Sequence, residues 1–241
     1  LCHIASQCGN RIEAEKIFNY IKQLFPEVIC VLDACQSIGQ IEVDVKKINC
    51  DVLVGSGRKY LRGPRGTGFI YINDKIREKI NPMILDMKNA EIIGDKIKIN
   101  KSNIFENFEF SPSLQLGLSK AIEKVNNYGI CKIEQNIIGK SKYFRKKLEN
   151  FHQITFFENI DTLTGINTLK INGINSLQIY TYLLSKRILC SVTKSSSSLL
   201  YFKKLKVKDL LRISFHQYNS YDDINYLVKC LIDLIKKKAI I

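Results

Sequence analysis

Several familiar signatures are missing from this chain. None of its eight cysteines forms a C-x-x-C pair, which argues against a metal site. No apolar run approaches the ~20 residues that a membrane-spanning helix needs, and no signal-peptide layout is visible at the start. Helix-turn-helix and zinc-finger spacings are absent, and so is any basic stripe interleaved with aromatics. The net charge is nonetheless +14, from 37 Lys and Arg against 23 Asp and Glu. Those lysines are spread along the chain beside many Ile and Asn residues, so the charge reads as a compositional bias and nucleic-acid binding is not expected. An initiating Met is lacking too. The chain opens at Leu1, in what reads as a strand-to-loop passage, so a fragment or a processed product is expected. The cysteines are Cys2, Cys8, Cys30, Cys35, Cys50, Cys131, Cys190 and Cys230. Several lie in apolar runs, where a free thiol behaves as a small hydrophobe. A reducing compartment such as the cytoplasm is expected, with an organelle also compatible.

What is present is ordinary for a soluble globular protein: 241 residues, 45% hydrophobic and 25% charged. That length suits one large domain or two smaller ones. Three short apolar, β-branched runs at 28–32, 52–54 and 69–72 read as buried strands. Chemistry sits where they end. Asp33 follows the first, Ser56-Gly57-Arg58-Lys59 follows the second, and Gly63-Pro64-Arg65-Gly66-Thr67-Gly68 leads into the third. A carboxylate buried after an apolar strand needs a cationic partner. A serine hydroxyl, glycine-permitted backbone N–H groups and a guanidinium suit a phosphate. A lysine beside that phosphate suits a Schiff base, and a carboxylate suits a protonated pyridine nitrogen. Pyridoxal phosphate (PLP) needs all three at once. Taken singly, Asp33 reads as a strand-end turn residue and Lys59 as one solvated lysine among many; the joint order and spacing carry the argument.

The run Asp33-Ala34-Cys35-Gln36-Ser37, then Ser56-Gly57-Arg58-Lys59, then the Gly63–Gly68 turn resembles the PLP core of the class V aminotransferase family. That family includes cysteine desulfurases, selenocysteine lyases and isopenicillin-N-epimerase-like enzymes. The resemblance implies a Schiff base on Lys59, with Asp33 on the pyridine nitrogen and Gln36 on the ring hydroxyl. It places Ser56 and Arg58 on the phosphate. Arg58 stands where many desulfurases have His, keeping the charge and adding donors. Ser6 or Gln7 falls where desulfurases often have an Asn touching the ring hydroxyl. The resemblance also implies a homodimer and an amino-acid substrate.

The remaining pattern alternates helix and strand, as a parallel sheet requires. Residues 10–24 have helical spacing with Asn10 as a candidate N-cap, and residues 43–48 read as a short connection. Residues 73–101 are charged and aperiodic, and read as surface structure. A helical run follows Ser111-Pro112. Past Gly129 the pattern changes to a smaller α+β unit, with helices near 133–148 and 176–184 and a strand at 167–171. A last helix carries Asp222 and Asp223 at its start and lysines at its end, as the macrodipole prefers. The expected fold is therefore α/β, and the resemblance implies a fold-type-I PLP transferase with its N-terminal part missing. It has a mostly parallel sheet with flanking helices over residues 1–128 and a smaller C-terminal domain over 129–241.

The pattern Arg212-Ile213-Ser214-Phe215-His216-Gln217-Tyr218-Asn219 extends the resemblance, whose arginine grips the substrate α-carboxylate. The competing reading of Arg212 is a strand-edge residue in a surface salt bridge, and His216 reads as structural. Desulfurases take sulfur on a loop cysteine upstream of this arginine. Here that stretch is Ser195-Ser196-Ser197-Ser198, with Cys190 further upstream. Ile104–Phe110 resembles epimerase-like members more than desulfurases. The sequence thus favours an epimerase-like or lyase-like PLP enzyme, with a cysteine desulfurase or selenocysteine lyase as the alternative. An inactive scaffold and a basic binding module are the competing classes.

Overall fold

The computed structural model describes residues 1–238. Its N-terminal half is built on a three-stranded sheet ordered β1-β2-β3, formed by β1 (Val31–Asp33), β2 (Val52–Ser56) and β3 (Gly68–Ile72). β1 and β2 run parallel, with Val31 opposite Val52 and Asp33 opposite Val54. β3 returns antiparallel, with Val52 opposite Ile72 and Ser56 opposite Gly68. Helix α1 (Ala14–Leu24) buries Ala14 and Phe18, which pack with Cys30, Leu32 and Leu53 of the sheet region. The i, i+4 spacing puts those two side chains on one face. α2 (Val45–Ile48) is a single turn capped by Asp44, whose carboxylate accepts from the N–H groups of Lys46 and Lys47 at 2.8 and 3.1 Å.

The next stretch holds α3 (Asp74–Arg77) and a hairpin of β4 (Ala90–Ile93) and β5 (Lys96–Ile99). Two long helices follow, α4 (Pro112–Tyr128) and α5 (Ile130–Leu148). Pro112 opens α4, where a missing N–H costs nothing. Between them stands Gly129 at φ +91°.

The C-terminal half is a four-stranded antiparallel sheet ordered β6-β7-β9-β8. Its elements are β6 (Ile154–Phe156), β7 (Ile166–Ile171), α6 (Ser176–Ser185), β8 (Ser191–Lys194), α7 (Leu199–Leu205), β9 (Asp209–Ser214) and α8 (Tyr221–Lys238). Asn175 and Gln178 form a capping box on α6. Phe144, Leu169, Leu183, Leu211, Ile224 and Leu231 are among the residues of this half's core. A further cluster spans both halves, joining Ile4, Ile41, Tyr60 and Leu61 to Ile133, Ile137 and Ile166.

Four expectations need correction. The first strand starts at Val31 rather than at 28, because residues 28–30 lie outside the sheet and Val28 and Ile29 are exposed. α1 begins at Ala14 with Glu13 before it; Asn10 is not its cap, because Arg11 pairs with Ile4 in an antiparallel bridge. Residues 43–48 are not simply a connection, since Asp44 caps a helical turn there. Residues 73–101 are not aperiodic. The hairpin in them turns at Gly94-Asp95, with Gly94 at φ +59°, the glycine-led turn that a two-residue hairpin favours.

Candidate active site

Because β1 and β2 are parallel and in register, their C-terminal ends open on one edge of the sheet, where sites gather in open α/β folds. Asp33 ends β1 and Ser56 ends β2. The Asp33 carboxylate is exposed, against the expectation of a buried one, and accepts from the Cys35 N–H at 3.0 Å. It has no ion pair among the described residues. The chain then turns inward. Gln36 is buried and donates through Nε2 to Ser6 Oγ at 2.8 Å, so the two residues expected at the ring hydroxyl touch each other.

The loop after β2 is tight. Gly57 N–H donates to the Thr67 carbonyl at 3.0 Å, and Gly63 N–H donates to the Gly57 carbonyl at 2.8 Å. A Cβ on Gly57 would stand 2.2 Å from Thr67 Oγ1, so only glycine fits there. Gly39, at φ +85°, lies against this loop: a Cβ on it would sit 2.7 Å from Leu61 N. Within the loop, Arg58 is exposed and Lys59 half-buried. Neither side chain has a hydrogen bond or ion pair to the described residues, and the Ser56 hydroxyl has no hydrogen bond to them either.

Electrostatics tie the two strand ends together. Burial pushes the Cys2 and Cys35 thiols up; the Asp33 carboxylate adds to that, and Lys59 opposes it for both. Asp33 and Lys59 therefore act on the same two thiols from the same edge.

Arg212 lies in β9, opposite Thr168 of β7 and Ser191 of β8. It is an interior-strand residue rather than an edge one, and it makes no ion pair among the described residues. Its Nε is buried without a hydrogen-bond partner among the described residues. Burial lowers its pKa, with the nearby Tyr60 phenol pulling the other way. Tyr60 is itself buried, and its hydroxyl has no hydrogen-bond partner among the described residues. Sequence reasoning passed over Tyr60; its signal was an aromatic placed directly after the lysine. Serines 195–197 form a 3-10 turn before α7, and the half-buried Cys190 thiol is pushed up to about 11 by burial.

The architecture is that of the fold-type-I PLP-dependent enzymes, an open α/β sheet followed by a smaller α+β unit. The chain belongs to the aminotransferase class-V family, whose pattern matches residues 1–227. It is similar to a probable cysteine desulfurase of Borreliella burgdorferi, 33% identical over 218 residues that cover 87% of this chain and 51% of that protein. The apo structure of a cysteine desulfurase from Thermococcus onnurineus NA1 superposes with a TM-score of 0.89 at 25% identity, covering 98% of this chain and 59% of that one. A C-DES mutant with glycine covalently linked to the PLP cofactor shares the fold, with a TM-score of 0.82 at 18% identity over 97% of this chain and 59% of that one. The chain thus spans between half and three fifths of the length of these proteins.

Proposed function

We propose that this chain carries the Lys59 part of a pyridoxal-phosphate site, and that the full-length protein performs lyase-type chemistry on an α-amino acid. The observation that carries the reading is Lys59 itself: an amine without a hydrogen bond or ion pair among the described residues, in a glycine-fitted turn at the sheet edge where Asp33 ends the neighbouring strand. The donor set fits the cofactor, with an amine and a carboxylate that have no ion pair among the described residues, an amide and a hydroxyl side chain in contact, and a serine and an arginine for a phosphate. PLP, when bound, supplies an aldehyde for the lysine and an electron sink for the pair left at the substrate's α-carbon. Asp33 holds the proton on the pyridine nitrogen, Gln36 and Ser6 bind the ring hydroxyl, and Ser56 and Arg58 bind the phosphate. Lys59 Nζ moves the α-proton. Arg212 binds the carboxylate through its planar fork. A homodimer, a cytoplasmic location and a division of the chain near Gly129 belong to the same proposal.

A cysteine desulfurase is the second reading, favoured by the names of the relatives. It requires a thiol to accept sulfur, and the serine turn at 195–197 has none. Assaying the full-length protein with L-cysteine separates the two. Sulfide released with pyruvate supports the lyase reading; alanine formed with a protein-bound persulfide supports the desulfurase. Borohydride reduction of the holoenzyme tests the site, with the cofactor expected on Lys59 and absent from Lys59→Ala. A label at any other position ends the proposal.

A further inference from the structure

The segment that leaves β9 after Arg212 folds back onto the Lys59 loop. His216 Nε2 lies 3.0 Å from the Tyr60 carbonyl. Its ring stacks on the Tyr60 ring, with centroids 5.6 Å apart and planes at 16°. Tyr218 stacks on the same imidazole at 4.8 Å and 27°, and its N–H points at Nδ1 from 3.4 Å. A carbonyl can only accept, so Nε2 carries the proton; Nδ1 faces an N–H, so it offers a lone pair. The imidazole is the neutral Nε2–H tautomer. Burial lowers its pKa, the Tyr60 carbonyl pulls the other way, and the charges of Arg62 and Lys140 act with burial.

The loop is held from behind as well. Lys140 of α5 donates to the carbonyls of His216 and Gln217 at 3.4 and 2.8 Å. His216 N–H donates to Asn219 Oδ1 at 2.9 Å. The imidazole therefore stands on a fixed support and grips the peptide carbonyl one residue past Lys59.

An α-amino acid joins its amine to its carboxylate through one carbon. A site that engages both ends must hold its two receiving groups at a set separation, and small misplacements there are costly. Lys59 stands in the loop that follows β2 and Arg212 lies in β9 of the four-stranded sheet, and the Tyr60–His216 contact is a direct link between the segments that carry them. We infer that His216 is a positioning residue that sets the spacing between Lys59 and Arg212 by clamping the Tyr60 carbonyl. It thereby selects ligands that carry an amine and a carboxylate on one carbon. This rests on the roles proposed above for Lys59 and Arg212.

The test uses the full-length holoenzyme, titrated in the visible band with L-cysteine and with cysteamine, the same amine without its carboxylate. His216→Phe keeps a stacking ring and loses the donor; His216→Gln keeps an N–H near the Nε2 position. For His216→Phe the half-saturating concentration of L-cysteine should rise about tenfold, the size expected of one lost hydrogen bond. That of cysteamine should stay within about twofold, and His216→Gln should restore most of the preference. Equal losses for both ligands, or no loss for either, overturn the inference while leaving the Lys59 assignment intact. Failure of borohydride to label Lys59 in the unmodified protein overturns both.

Discussion

At the scale of single residues, a buried polar group without a partner has an energetic cost that a variant can measure. Arg212 is the clearest case, with a guanidinium partly withdrawn from water and, among the described residues, a buried Nε lacking a partner and no carboxylate to meet it. An uncompensated buried cation costs stability, and proteins keep such groups where a ligand completes them. Arg212→Met should therefore raise the unfolding free energy of the ligand-free protein by about 1 kcal/mol, measured in urea, while abolishing the response to L-cysteine. Arg212→Lys keeps the charge but loses the bidentate fork, so KM for the amino acid should rise about tenfold or more. A Met variant that is less stable than the parent would show that the guanidinium has a structural partner after all.

Among the elements, the segment before α1 makes a second expectation quantitative. His3 donates its backbone N–H to the Asp33 carbonyl at 2.9 Å, and its buried ring leaves Nδ1 without a partner among the described residues. Burial, with Arg11 second, pushes its pKa from 6.5 down to about 4. The folded protein thus binds this proton more weakly than the unfolded chain does. The stability owed to neutral His3 is complete above about pH 6.5 and is lost as pH falls toward about 4. Between pH 7 and about pH 4.5 the loss from this group is about 2.5 kcal/mol. Urea unfolding of the parent and of His3→Gln at those two pH values should differ by that amount, and parallel losses would refute the assignment. The elements that the sequence revealed are those whose burial repeats at a fixed period. α5 shows this best, with Ile133, Ile137, Phe144 and Leu148 all buried. What stayed hidden was decided by tertiary pairing. Asn10 has a good capping side chain, yet the Ile4–Arg11 bridge claims that stretch. Ile92, Ile93 and Ile97 stand exposed on a hairpin whose charged neighbours mask the strand pattern. The site divides in the same way. The positions of Asp33 and Lys59 at strand ends follow from local signals, strand ends and glycine turns; the Tyr60–His216 contact joins residues 156 apart in sequence and has none.

For the whole molecule, the open question is whether the change of pattern at Gly129 is also a boundary in folding. The two sheets have cores of their own, but the cluster between them is shared: Ile137, wholly buried, packs among Ile4, Ile41, Tyr60 and Ile166. Polar links cross the same divide. Gly165 N–H donates to Gln40 Oε1 at 2.9 Å, and Thr164 Oγ1 donates to the Gly9 carbonyl at 3.0 Å. Arg11 pairs with Glu134 at 2.9 Å, and the Glu42 N–H donates to the same carboxylate at 2.9 Å. Interfaces between domains that move independently are more polar than this buried apolar cluster. The two halves of the full-length protein should therefore unfold in one calorimetric transition. Ile137→Ala should cost about 2–4 kcal/mol, the range for removing a buried branched side chain, and should lower that single transition without splitting it. Two transitions in the parent protein, or a variant that melts only the four-stranded sheet early, would make Gly129 a true folding boundary. The spacing of Lys59 and Arg212 would then depend on a mobile joint rather than on a common core.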